Sequence, residues 1–261
     1  MHSRTDDGPL PGGTANRGRV IRAGDTVRRP RSGHTTAVHA LLRHVADTGF
    51  QGVPRVVGVD GREEVLTYID GLAATEPLAG WALADDALAS VGVLLRGYHR
   101  HALGFDGAGG RWQRPVPERW RGPLVTHNDV NPANVIFRGG RAVALIDFDL
   151  AAPGTPAWDL AITACFWAPL RDAADIPDSR RDAHVRRYAV LLDGYGADED
   201  LRSEVVDALG AANQWISDII KDAASTGHPA FGSLWRREQA VHRRAALWLA
   251  RHADELRGAH R

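Results

Sequence analysis

The chain changes texture over residues 71–80, and that change constrains its fold more than any other feature. Before it, short runs of strand-favouring residues are cut by turn residues. Gly12-Gly13 and Gly24-Asp25 read as turns, and residues 18–22 and 26–29 as strands. Pro30 stops the second strand, because proline has no N–H to give to a ladder. A helix capped near Thr35 or Thr36 is expected next, with Val38, Leu41, Leu42 and Val45 on one face. Residues 54–59 and 64–69 read as two more strands joined across Asp60-Gly61. After the change the apolar spacing is helical, over 81–101, 157–167, 184–194, 201–224 and 234–256. One hairpin interrupts it: Val135-Ile136-Phe137, a turn at Gly139-Gly140, then residues 142–146. The expectation is an α+β fold in two lobes. A loose tail covers 1–9, a small β-sheet lobe with one helix covers 10–71, and a mainly helical lobe covers 72–261.

Composition narrows the function. The 261 residues include 32 basic and 32 acidic ones, for a formal net charge of zero. A nucleic-acid or anionic-membrane binder would carry a basic excess, so neither partner is expected. Arg28, Arg29 and Arg31, and later Arg236, Arg237, Arg243 and Arg244, read as solvated basic faces. Cys165 is the only cysteine, which excludes an intrachain disulfide and a thiolate zinc cluster. Flanked by Phe166 and Trp167 in an apolar helix, it reads as a buried, inert thiol. No run has the apolar character of a signal peptide or a membrane span, so a soluble, cytoplasmic protein is expected.

The chemistry is concentrated in His127-Asn128-Asp129-Val130-Asn131-Pro132-Ala133-Asn134 and in Leu145-Ile146-Asp147-Phe148-Asp149. Phosphoryl transfer asks a protein mainly for positioning and charge compensation. One carboxylate orients or deprotonates the attacking hydroxyl, and hard oxygen donors hold Mg²⁺. Asp129 and Asn134 share one tight loop and can face a common point. Asp147 leaves an apolar strand, Ala144-Leu145-Ile146, and is therefore rigidly placed.

These motifs resemble those of the aminoglycoside phosphotransferase and choline kinase superfamily, H-[GN]-D-x-x-x-x-N followed by I-D-[FW]-[DE]. Pro156-Ala157-Trp158-Asp159-Leu160-Ala161 matches the D-L-A segment that comes after them. Protein kinases share the logic but usually carry Arg at the position of Asn128 and D-F-G at 147–149. The resemblance implies a protein-kinase-like fold and an ATP- and Mg²⁺-dependent transfer to a hydroxyl of a small molecule, such as an antibiotic, an amino alcohol or a sugar. It implies Asp129 as catalytic base and Asn134 and Asp147 as metal ligands. His127 and Asp159 then support the loop, and Asp149 joins the metal site or shapes the turn.

For the nucleotide, the resemblance implies backbone contacts to phosphate at Gly12 and Gly13. It implies adenine contacts at Tyr68 and Ile69, within Thr67-Tyr68-Ile69-Asp70-Gly71. The phosphate-holding cation falls on Arg28, with Arg29 as the alternative. The glutamate that partners this cation from the following helix is replaced by His39, a departure from the family pattern. Trp215, Asp218, Ile219 and Asp222 lie at helical spacing. They read either as a wall for a cationic acceptor or as a buried Trp beside solvated acids. Residues 26–30 and 38–44 also resemble a trifolitoxin-immunity-like branch of the superfamily. That implies an alternative function, a kinase-fold binding or immunity protein with little or no turnover.

Overall fold

The computed structural model describes residues 7–10, 18–75, 77–227 and 229–259. The first part is an antiparallel five-stranded sheet. Its strands are β1 (Gly8–Pro9), β2 (Ile21–Ala23), β3 (Thr26–Pro30), β4 (Val56–Asp60) and β5 (Glu63–Thr67), in spatial order β1-β2-β3-β5-β4. Helix α1 (Thr35–Asp47) follows β3 and buries Val38, His39, Leu41, Leu42 and Val45. The turn expected at Gly12-Gly13 lies outside the described residues.

The register of β3 against β5 positions the site. Arg29 stands directly opposite Glu64, and Arg28 opposite Val65. Successive side chains on a strand face opposite ways, so the two arginines cannot serve the same surface.

The chain then enters a second, three-stranded sheet in the order β6-β8-β9, formed by β6 (Leu72–Ala73), β8 (Val135–Arg138) and β9 (Arg141–Leu145). A third, two-stranded sheet pairs β7 (Leu124–Thr126) with β10 (Ala152–Gly154). Helices α2 (Gly80–Leu83), α3 (Asp85–Ala102), α4 (Pro156–Trp167), α5 (His184–Tyr195), α6 (Glu199–Ser225) and α7 (Pro229–Arg257) make up the rest. Helix α3 packs on α5 and β9, α4 on α6, and α6 on α7.

The α+β architecture expected from sequence is the one observed, with three local differences. The helix expected over 81–101 is broken at Ala84, whose extended backbone (φ −64°, ψ 144°) separates α2 from α3. Asp85 and Asp86 then favour a fresh helix start, since acids are stabilised near the exposed N–H groups of a first turn. The strand expected at 18–22 begins later, at Ile21, because Gly18 turns the chain with φ +76°. Strands β6, β7 and β10 are two or three residues long, too short to show alternation in sequence.

Cys165 is half-buried rather than enclosed, and burial pushes its thiol up to about 12. No helix among the described residues is long and apolar enough to cross a membrane.

Candidate active site

The loop after β7 is built on one buried carboxylate. Asp159, near the start of α4 and fully buried, accepts the backbone N–H of His127 at 2.8 Å and that of Asn128 at 2.8 Å. His99 of α3 donates to the same carboxylate at 3.0 Å, and Tyr195 lies 2.9 Å from the other ring nitrogen of His99. Burial opposes the charge of Asp159, but the His99 hydrogen bond outweighs it and holds the carboxyl below its usual range. The loop thus hangs from a point fixed by three helices.

Asn128 turns the loop with φ +63°, a left-handed conformation that Asn and Asp tolerate better than other side chains. Its amide accepts from Thr126 at 2.7 Å and donates to the Leu150 carbonyl at 2.9 Å, tying the loop to the segment after Asp147. His127 makes a second tie. Its Nε2 donates to the Ile146 carbonyl at 3.0 Å, and its Nδ1 accepts the Asp129 N–H at 3.2 Å. Burial lowers the pKa of this ring, which suits the neutral tautomer those two bonds require.

These constraints leave Asp129 oriented by two amides. Asn134 Nδ2 donates to its Oδ2 at 2.8 Å and to its backbone carbonyl at 2.9 Å, while Asn131 Nδ2 donates to its Oδ1 at 2.9 Å. Asn131 is itself held, accepting the Ala133 N–H at 2.8 Å as it caps a short 3₁₀ turn, Pro132–Asn134. Burial, with help from the nearby Asp147 and Asp149 carboxylates, pushes Asp129 up to about 8 against the lowering effect of the two amides.

Asp147 leaves the β9 ladder with φ +62° and ψ 70°. Among the described residues, Asn128 and Asp147 are the two non-glycine residues with positive φ, and they stand on the two adjoining loops of this site. Such conformations persist only where the surroundings over-determine them, and they gather at functional sites.

The cation facing these acids is Arg29. Its Nε donates to Glu64 at 2.6 Å, its Nη1 to Asp147 at 2.8 Å and its Nη2 to Asp149 at 2.7 Å. Burial disfavours its charge, but the Asp147, Asp149 and Glu64 carboxylates outweigh that and raise its pKa above the ordinary value. Asp147 is raised by burial and by Asp149, with Arg29 opposing. Asp149 is instead lowered, because His34, 3.4 Å away, and Arg29 overcome its burial.

Arg28, the residue expected at this place, lies on the other face of β3. It is 37% exposed and paired with Asp60 at 2.8 Å and Glu63 at 3.6 Å. Strand alternation decides the matter between them. The pairing of Arg29 with Glu64 across β3 and β5 separates the two arginines, and that register is a property of the folded sheet. His39, which stands on α1 in place of the expected glutamate, lies 2.6 Å from Glu64, and Glu64 in turn holds Arg29.

Tyr68 and Ile69 follow β5 and are half-buried, with the Tyr68 N–H donating to Asp25 O at 2.8 Å and the Arg22 guanidinium 3.7 Å over its ring. Gly12 and Gly13 lie outside the described residues. The four-residue wall on α6 does not form as one surface. Trp215 is buried and donates to the Pro115 carbonyl at 3.3 Å, while Asp222 pairs with Arg114 at 2.7 Å. Asp218 instead lines a cleft of about 300 Å³ between α6 and α7, beside Trp235 and His242.

The donor set fits a hard divalent cation. Asp147 is 37% exposed and carries a carboxyl group as a hard oxygen donor, and Asn134, whose Nδ2 is spent on Asp129, has its carbonyl oxygen left to coordinate. No cluster of three or more His, Cys, Asp or Glu side chains gathers as a metal cage among the described residues. Mg²⁺ in phosphoryl-transfer sites commonly takes only one or two protein ligands, the rest coming from phosphates and water.

Comparison with known proteins points to similar proteins. Residues 110–203 match the phosphotransferase enzyme family. The trifolitoxin immunity protein of Rhizobium leguminosarum bv. trifolii is 28% identical, over 92% of this chain and 94% of its own length. The homoserine kinase of Sinorhizobium medicae is 29% identical over 78% of this chain, which spans only 55% of that enzyme. In three dimensions the chain is similar to a choline/ethanolamine kinase family protein from Mesorhizobium loti. The TM-score is 0.64 at 18% identity, with 98% of this chain and 93% of that one covered. Loop motif and these likenesses agree, and the fold is the protein-kinase-like one of the choline/ethanolamine kinase family protein and of the aminoglycoside phosphotransferases it is similar to.

Proposed function

We propose that the protein transfers the terminal phosphoryl group of ATP to a hydroxyl of a small molecule. The observation that carries this reading is the convergence of Asp129 and Asp147, on two cross-tied loops, with a buried arginine that carries a permanent charge. Asp129 acts as general base. Its carboxylate, oriented by Asn131 and Asn134, takes the hydroxyl proton as the oxygen attacks. Asn134 and Asp147 are the residues that would hold Mg²⁺, which when bound neutralises phosphate charge. Arg29 replaces Arg28 as the phosphate-facing cation, since its guanidinium fork matches phosphate oxygens and it alone of the two faces the acids. Tyr68 and Ile69 remain the proposed adenine contacts, and Gly12 and Gly13 the proposed phosphate loop.

The near full-length likeness to an immunity protein supports a second reading, a nucleotide-binding protein that sequesters its ligand with little turnover. One experiment separates them. Purified protein with Mg-ATP is tested against homoserine, choline, ethanolamine, aminoglycosides and sugars, with phosphorylated product measured directly. The first reading expects product with at least one acceptor. It also expects Asp129→Asn to lose transfer by about a hundredfold or more while ATP affinity stays within about twofold. Wild-type-like transfer by that variant would remove Asp129 from the role of base.

A further inference from the structure

Arg29 reaches the site only through a chain of buried contacts that begins on α1. His39 Nε2 donates to Glu64 Oε2 at 2.6 Å, and Glu64 Oε1 accepts Arg29 Nε at 2.6 Å. His39 is 4% exposed, Glu64 2% and Arg29 8%, so water screens none of the three. Each Glu64 oxygen thus has its own donor, and the carboxylate cannot rotate without breaking one of the two bonds.

An arginine side chain has many rotamers, and holding one of them costs on the order of 2 kcal/mol of entropy unless neighbours fix it. Here Nε is committed to Glu64, which sets the guanidinium plane and leaves Nη1 and Nη2 as the atoms presented to the site. The sheet makes that commitment reproducible, since Arg29 and Glu64 are directly opposed in the β3–β5 register. What the register cannot do is choose the rotamer of Glu64. That choice falls to His39, held on the inward face of α1 among Val38, Leu41 and Leu42.

We propose that His39 is a positioning residue for phosphoryl transfer: through Glu64 it fixes the orientation in which Arg29 meets the nucleotide phosphates. The carboxylate partner of the cation comes from β5 instead of α1, and α1 supplies the group that aims it. The inference rests on the phosphotransferase reading, with Arg29 as the phosphate-facing cation.

The test compares ATP with adenosine, which lacks the charges Arg29 meets, by calorimetry on the full chain. The wild type should bind Mg-ATP more tightly than adenosine. His39→Ala should weaken ATP about tenfold, the scale of losing a hydrogen bond to a charged group, with adenosine within about twofold. His39→Gln, whose Nε2 can donate to the same oxygen, should restore most of the difference. In transfer assays the KM for ATP should rise more than kcat falls, because the lost contact is made in ground and transition states alike. In an Arg29→Ala background, adding His39→Ala should leave ATP affinity unchanged, since the relay no longer has an end.

The ATP-to-adenosine ratio is internal to each variant, so a variant that merely folds poorly loses both ligands together. Equal losses of ATP and adenosine in His39→Ala, or no recovery in His39→Gln, would overturn the positioning role while leaving the phosphotransferase reading intact. A wild type that makes no distinction between the ligands and yields no product would overturn both.

Discussion

Arg28 and Arg29 are neighbours in the chain with opposite surroundings, and the difference is worth a direct measurement. Arg28 is solvated and pairs with Asp60 and Glu63 on the outer face, where such pairs contribute little. Arg29 is buried among three carboxylates. Removing it leaves those charges uncompensated, which costs about 3–5 kcal/mol of stability. Arg29→Ala should therefore lower the denaturation midpoint and weaken ATP far more than adenosine. Arg29→Lys keeps the charge without the fork and should fall between the alanine variant and the wild type. Arg28→Ala should leave stability and both affinities within about twofold of wild type. An ATP-specific loss in Arg28→Ala with none in Arg29→Ala would return the phosphate contact to the outer arginine.

Between elements, the tightest constraint is the meeting of α3 and α5. A Cβ at Gly92 would run into the Leu191 carbonyl oxygen and the Tyr195 nitrogen, and one at Gly194 into the Ala89 carbonyl. Alanine in a helix is ordinarily favoured over glycine by about 1 kcal/mol. Here the obstruction is backbone, which no rotamer change relieves, and overpacking costs about 1–3 kcal/mol or more. The packing cost wins. Gly92→Ala and Gly194→Ala should each lower the melting temperature. Because His99 on α3 and Tyr195 on α5 join the network under Asp159, both should also slow phosphoryl transfer. A rise in melting temperature in either variant would mean the helices have room to separate. The same dependence on neighbours explains the loop after β7. Its left-handed Asn128 is held by Thr126 and Leu150, and its amides by an acid from α4.

At the scale of the whole molecule, the chain passes from one sheet to another between the end of β5 at Thr67 and the start of β6 at Leu72. We propose that this crossing is the boundary between a nucleotide-binding lobe, 10–71, and a lobe, 72–261, that carries the catalytic loop, metal ligands and acceptor site. A ligand bound between them stabilises the folded chain by mass action, by about 2.7 kcal/mol at a hundredfold excess over its Kd. For a chain of this size that corresponds to a rise in melting temperature on the order of 5–10 °C. Mg-ATP should produce such a shift in the wild type, and ATP with chelator a smaller one. In Asp147→Ala the magnesium-dependent part should vanish. If the variant keeps the full magnesium-dependent shift, the metal is held by other residues. A shift in the wild type without product from any acceptor would favour the sequestering reading.

Much of this was legible in the sequence because it is local. The two textures on either side of residues 71–80 determined the α+β class, since periodicity depends on the residues of each element alone. The spacing of Asp129, Asn134 and Asp147 pointed to one loop and one strand end, and the family resemblance implied the loop-supporting role that Asp159 has in the structure. Other features depended on partners distant in the chain. Whether Arg28 or Arg29 faces the acids is set by which face of β3 turns inward, and that is settled by pairing with β5. Nothing in the sequence marks Asn131 as a partner of Asp129, since its amide reaches that carboxylate only through the folded loop. Glu64 was invisible as a site residue because an acid on a strand is usually solvated. Only the tertiary structure, by burying it between Arg29 and His39, decided that its charge would be used inside the protein.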